Sequence, residues 1–129
     1  MGANEKVFKE FSELFRAGEM ERACRTYMHP DLEIHEPPSL PQGGVFRGWD
    51  APIRITRIYT GIWDIEVGPL EMCEAGDLLI WRAMFTWKSK KTGKSVTAPA
   101  VEVNYFKDGK TVRMEVFHHD TQGMLDTLK

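Results

Sequence analysis

An α+β domain, with three N-terminal helices packed on one face of a curved, mostly antiparallel sheet, is predicted by three observations. The first half of the chain carries apolar residues at helical spacing, the second half carries four segments with period-two alternation, and glycine-containing turns separate those segments. With 129 residues and 42% apolar content the chain has enough material for one core, so residues 1–129 are expected to form a single domain.

The elements follow in order. Val7, Phe8, Phe11, Leu14 and Phe15 share one helical face and define a first helix, which Gly18 ends in the manner of a helix C-terminus. Met20, Ala23, Cys24 and Tyr27 mark a second, shorter helix that stops before Pro30, so that His29 reads as a helix end. Leu32 to Glu36 is a short strand, and a proline-rich loop follows it. Asp50 is expected to cap a third helix, with Pro52 in its first turn and Ile53, Ile55, Ile58, Tyr59 and Ile62 along its length. Ile65 to Glu74, Asp77 to Lys88, Ser95 to Phe106 and Thr111 to His118 are the four strands. Ala75-Gly76, Lys91 to Lys94 and Lys107 to Lys110 turn between them, and Asp108-Gly109 is a strong hairpin dipeptide. A last helical turn is expected from Gln122 to Leu128.

Alternation sorts the strand residues into two faces. Leu79, Trp81, Ala83, Phe85 and Trp87 share one side, against Leu78, Ile80, Arg82, Met84 and Thr86. Val101, Val103 and Tyr105 oppose Glu102, Asn104 and Phe106; Met114, Val116 and His118 oppose Arg113, Glu115, Phe117 and His119. Apolar residues on both sides predict a sheet covered twice, by helices on one face and by a partner subunit on the other. The three large aromatics Trp81, Phe85 and Trp87 serve either as core beneath the helices or as walls of a ligand pocket.

Several function classes are expected to be absent. A net charge of −2 with interspersed signs argues against nucleic acid, and the basic Lys88 to Lys94 segment reads as a solvated turn. No run of about 18 apolar residues is present, so no membrane span is expected. The N-terminus lacks the pattern of a signal peptide, and Cys24 and Cys73 lie on separate elements, so a reduced cytoplasmic setting is the expectation. Ser39 lacks the context of an acyl-enzyme nucleophile. His35, Glu36, His118 and Asp120 have the donor types for zinc or iron but no supporting local spacing, so neither a metal nor an organic cofactor is expected.

The stretch from His29 to Trp49 carries the most chemistry. Glu36 ends a short apolar strand and precedes Pro37 and Pro38, a place where a carboxylate is fixed yet reachable. Leu32, Ile34 and Glu36 share a face, which points Glu36 toward the core and His35 away from it unless a bulge reverses the choice. A carboxyl beside an apolar pocket has its pKa raised toward the range useful for a general base. Glu102 is either a second inward acid or the partner of Arg82 or Arg113 on the outer face. His118 is either a site residue or a hydrogen-bonded core histidine, and His119 and Asp120 face solvent or cap the final turn.

Together these features resemble the nuclear transport factor 2-like (NTF2-like) superfamily. The residues that carry the likeness are Ala17-Gly18-Glu19-Met20 between the first helices, His29-Pro30-Asp31 before the first strand, Gly48-Trp49-Asp50-Ala51 at the third helix and Lys107 to Met114 leading into the last strand. The chain is most similar to the SnoaL-like polyketide cyclases, over roughly residues 5 to 128. The resemblance implies a cone-shaped fold, a deep apolar pocket and dimers formed through the outer face of the sheet. Compared with steroid isomerases of the superfamily, Glu36-Pro37 falls where the catalytic carboxylate precedes proline, and Thr97-Ala98-Pro99-Ala100-Val101-Glu102 is similar to the strand that carries a second, protonated acid. Phe11 stands where those isomerases have an oxyanion tyrosine. Asn104 and His118 fall near the acid/base positions of the polyketide cyclases without reproducing them.

The expected function is proton transfer next to a carbonyl, in an isomerase, aldol-type cyclase or dehydratase acting on a hydrophobic polycyclic or polyketide-like substrate. Glu36 would move the proton, with His118 or Glu102 stabilising the enolate and His35 as a further catalytic candidate. Phe11, Trp81, Phe85, Trp87, Asn104 and Met114 are the expected substrate-binding residues. A non-catalytic ligand-binding module is the alternative, and an epoxide hydrolase of the same fold is a third.

Overall fold

The computed structural model describes residues 2–129. Helices α1 (Ala3–Arg16) and α2 (Met20–Tyr27) lead into strands β1 (Met28–Glu36) and β2 (Gly44–Arg47), and α3 (Ala51–Ile62) follows. Strands β3 (Trp63–Val67), β4 (Glu71–Ala75), β5 (Leu78–Ser89), β6 (Ser95–Lys107) and β7 (Lys110–His118) come next, and helix α4 (Thr121–Asp126) ends the chain. The sheet runs β2-β1-β7-β6-β5-β3, with β4 also paired to β5. Among the described residues only β1 and β7 run parallel, and every other pairing is antiparallel. The α+β class and the helices-on-one-face architecture are as the sequence predicts.

Local chemistry sets the boundaries. Helix α1 ends in a Schellman motif: Gly18 N–H donates to Phe15 O at 3.2 Å and Glu19 N–H to Leu14 O at 3.1 Å, while Gly18 adopts φ +89°. The turn at Asp108-Gly109 has φ +53° and +74°, the left-handed pair that a type I′ hairpin needs. Asp50 does precede α3, but its side chain makes no cap hydrogen bond; Oδ1 instead accepts from Arg54 Nε at 3.3 Å.

Three boundaries differ from expectation. Strand β1 begins at Met28 rather than Leu32, so His29 and Pro30 lie within it. The missing N–H of Pro30 is accommodated because the β1–β7 register shifts between Met28 and Glu33. Residues 44–47, read as loop, form the short edge strand β2 against Glu33–Glu36. The expected strand Ile65 to Glu74 is two strands, broken at Gly68-Pro69-Leu70, where Pro69 cannot donate to a ladder. Consequently β3 pairs with the second half of β5 and β4 with the first.

Two packed clusters hold the layers together. Helices α2 and α3 press Cys24, Ala51, Ile53 and Ile55 onto Met28, Leu32, Ile34 and Met114 of the sheet. At the other end of the sheet Leu40, Trp63, Trp87 and Met124 form a second cluster that α4 closes. Asp120 caps α4, its Oδ1 accepting from Gly123 N–H at 2.7 Å. The buried Trp63 indole N–H donates to Thr127 Oγ1 at 2.9 Å and so ties the chain end to β3. Replacing this hydroxyl by Thr127→Val leaves a buried donor unpaired, and urea denaturation is expected to show a loss of about 1–3 kcal/mol.

Candidate active site

The inner face of the sheet is laid out in rows across the strands. Leu79 pairs with Asn104, Asn104 with Met114, and Met114 with Ile34. The adjacent row holds Trp81, Glu102 and Val116, and Glu36 ends it one residue beyond the His35–Glu115 pair. A third row holds Ala83, Ala100 and His118. The row from Trp81 to Glu36 lines a cavity of about 850 Å³, walled by Phe8, Phe11 and Phe15 of α1, by Ile55 and Tyr59 of α3 and by the Gly68-Pro69-Leu70 break.

Glu36 is held by a stiff surround. Its strand position pairs with Gly44 of β2, and the loop between them is closed by Leu40 N–H to Pro37 O at 3.1 Å and Gly43 N–H to Leu40 O at 2.8 Å. A Cβ at position 43 would lie 2.4 Å from Pro37 O, so only glycine fits this turn. The Glu36 and His118 side chains are 8% and 6% exposed, and His118 Nε2 lies 3.8 Å from Glu36 Oε1, beyond hydrogen-bond distance. The small Ala83 and Ala100 leave room for the His118 ring, which stands edge-on to Phe85 at 6.3 Å and Trp87 at 5.4 Å. Among the described residues, buried side-chain polar atoms without a hydrogen-bond partner are Glu36 Oε1, Gln42 Oε1 and Trp81 Nε1. Two of these three belong to cavity-lining residues.

Glu102 lies deep in the cone, and desolvation pushes its pKa up to about 8, with the Glu36 charge adding to the effect. The Asn104 amide and the Trp81 indole pull the other way by less. Glu102 therefore retains its proton near neutrality. Tyr59 was legible in the sequence only as a helix-face residue, yet it belongs to the site. Burial raises its pKa first, the charges of Glu102 and Glu36 add to the rise, and its hydroxyl lies 3.3 Å from Thr56 Oγ1. The available signal was its spacing, one helical turn beyond Ile55 on the cavity-facing side.

Of the expected site residues, Glu36, Glu102, Phe11, Trp81, Phe85 and Met114 meet in the cavity. His118 stands beside Glu36 and lines a second cavity of about 480 Å³, which shares Glu36 and Val116 with the first. His35 lies on the opposite face, its Nε2 3.0 Å from Glu33 Oε1. Trp87 packs against Trp63 in the second cluster, at 5.3 Å and 74° between rings. Asn104 is 1% exposed and donates from Nδ2 to Leu79 O at 3.4 Å, so it sits beneath the site rather than on its wall. The alternative pairing of Glu102 with arginine does not form, since Arg82 binds Glu71 and Arg113 binds Glu115, each at 3.1 Å. No group of three or more His, Cys, Asp or Glu that could hold a metal occurs among the described residues. No described helix is long and apolar enough to cross a membrane.

Comparison with known proteins agrees with this architecture. The SnoaL-like domain family matches residues 8–114. No curated protein matches the chain significantly. An NTF2-like protein of unknown function from Burkholderia pseudomallei K96243 superposes with a TM-score of 0.84 at 22% identity, covering 100% of this chain and 99% of that one. TerC, crystallised with polyporic acid, superposes at 0.82 with 22% identity over 98% of both chains. A Mesorhizobium loti protein described as a candidate SnoaL-like polyketide cyclase gives 0.65 at 24% identity, covering 88% of this chain and 97% of that one. These structures, NTF2-like proteins among them, share the fold, the family match spans most of the sequence, and the chain belongs to the SnoaL-like domain family.

Proposed function

We propose that the chain is a small-molecule enzyme that moves a proton at a carbon next to a carbonyl, of the isomerase, cyclase or dehydratase type. The observation that carries this reading is the pair of inward carboxyls, Glu36 and Glu102, in one apolar cavity, with Glu102 holding its proton near neutrality. Glu36 takes the proton from carbon, the electron pair moves onto the carbonyl oxygen, and the Glu102 carboxyl donates a hydrogen bond to the oxygen as charge develops there. Returning the proton from Glu36 to another carbon completes an isomerisation; attack of the enolate on a second carbonyl, whose oxygen then takes the proton from Glu36, gives a cyclisation. His118 Nε2, 3.8 Å from Glu36 Oε1, would exchange a proton with that carboxylate after a small approach. Trp81, Phe85 and Met114 favour a flat hydrophobic substrate. The co-crystallisation of TerC with polyporic acid and the polyketide-cyclase description of the Mesorhizobium protein support this substrate class.

A non-catalytic ligand-binding module is the second reading, favoured by Phe11 in place of a hydroxyl donor on α1. The epoxide-hydrolase reading has less support, because Arg82 lies with Glu71 on the outer face. The outer face also supports the expected homodimer. Val45, Met84 and Phe117 are 44%, 41% and 54% exposed there, and Phe117 lies beside Val101.

Three outcomes are expected. In D2O the protein should accelerate exchange of the α-protons of a planar ketone such as 2-tetralone, and Glu36→Gln should slow that exchange at least about a hundredfold while the fold is kept. Exchange at the wild-type rate in Glu36→Gln would sink the mechanism; a ligand bound without exchange would favour the binding module. Because the folded-state pKa of Glu102 is raised above its unfolded value of 4.5, its stabilising contribution is complete below about pH 4.5 and is lost as pH rises to about 8. Wild-type stability should therefore fall across that window by at most about 1.4 kcal/mol per pH unit from this group, and urea titrations of Glu102→Gln should show a flatter profile. Sedimentation at micromolar concentration should give twice the 14.8 kDa monomer mass; monomers alone would remove the dimer.

A further inference from the structure

We propose that Arg16 of α1 is a binding residue at the rim of the larger cavity, where its guanidinium receives a carboxylate that the substrate carries at the end remote from its reacting carbon. The substrate is then a flat hydrophobic acid, not a neutral polycycle. The proposal rests on the proton-transfer reading of the same cavity, to which it adds a charge requirement and a direction of entry.

Arg16 is the one cationic side chain among the described residues that line this cavity. Its charge is not spent within the protein. Glu13 stands three residues back on α1, at the spacing of a helical ion pair, yet among the described residues the pair does not form. Glu19 is taken by Arg22 at 3.1 Å. The arginines at 22, 25, 47, 54, 82 and 113 each hold a carboxylate, which leaves Arg16 and Arg57 without one among the described residues. A cation in the last turn of α1 also suits the helix dipole, but that accounts for its charge and not for its place over a cavity.

The surroundings of Arg16 are polar where the floor of the cavity is apolar. Ser12 lies one helical turn before it on α1, and Thr56 brings a hydroxyl from α3; both are half-buried lining residues, and Arg16 is exposed. Phe8, which stacks on Trp81, sits eight residues earlier, so Arg16 lies about 12 Å further along the helix axis. An anion placed deep in the cavity would meet Glu36 and Glu102 without water to screen it, whereas at the rim it meets a guanidinium that can bind it with two parallel hydrogen bonds. The same charges therefore orient one molecule: acid group outward on Arg16, fused rings and ketone inward toward Glu36.

Two probes of one shape, 2-naphthoate and 2-naphthamide, test the site because they differ in charge. In low-salt buffer the wild type should bind 2-naphthoate about fivefold more tightly, the worth of an ion pair at a half-open rim. Arg16→Gln keeps a good helix former and should abolish that preference while holding 2-naphthamide within about twofold of wild type. Arg57→Gln removes the other unpaired arginine, which lies outside this cavity, and should leave the preference as it was. In the 15N-labelled protein the Arg16 side-chain Nε–H resonance should move with 2-naphthoate and stay with 2-naphthamide. Failure of the wild type to bind 2-naphthoate, equal binding of the two probes, a preference that survives Arg16→Gln, or one that falls as much in Arg57→Gln overturns the proposal. Loss of the Glu36-dependent exchange with the Arg16 effects intact would instead remove the catalytic reading and leave the anion site standing.

Discussion

Two carboxyl groups facing one apolar interior impose the constraint on which the site depends. Charge is costly to desolvate, and two like charges sharing a low-dielectric cavity cost more than one. The protein meets this by keeping a proton on Glu102, which lies in the middle of the sheet, while Glu36 sits at the end of β1 next to a second cavity. The two carboxyls of the same chemical type thus meet different neighbours along one row of the sheet.

The sheet register makes this division possible. Trp81, Glu102, Val116 and Glu36 come from four different strands, and they share one row because β5, β6 and β7 pair antiparallel while β1 joins β7 in parallel. A one-residue slip in any of those pairings would turn a carboxyl onto the outer face, where Arg82, Arg113 and their acidic partners already stand. The hydrophobic alternation of the strands specifies the register, so the packing that stabilises the sheet is also what aligns the cavity-lining groups. The second cluster around Trp63 and Trp87 is correspondingly structural: it closes one end of the cone and supports His118 through the edge of Trp87.

Much of this was legible in the chain. Helical periodicity located α1, α2 and α3, and period-two alternation grouped Trp81 with Phe85 and Met114 with Val116 and His118 on shared faces, while Glu102 stayed open between the inner and the outer face. The Glu36-Pro37 junction marked a fixed carboxylate. What escaped was whatever depended on partners remote in sequence. Strand β2 has four residues and little pattern of its own, and it exists because β1 offers it an edge. The Gly68-Pro69 break is a local cue, but the two halves of β5 that receive β3 and β4 are not local. Tyr59 looked like one more apolar position of a helix until α3 was laid over the carboxyls.

The sequence by itself determined the fold class and the alternating faces of its long strands, because period and turn chemistry act over a few residues and survive in any context, while its motifs carried the resemblance to the family. Only the tertiary structure decided which inward residues line the cavity and which support it from beneath. Trp87 and Trp81 are indistinguishable by alternation, yet one is packed against Trp63 and the other lines the cavity beside Glu102. Burial and the nearness of unlike elements set protonation and hydrogen-bond supply, and those are properties of a three-dimensional neighbourhood that no single segment contains.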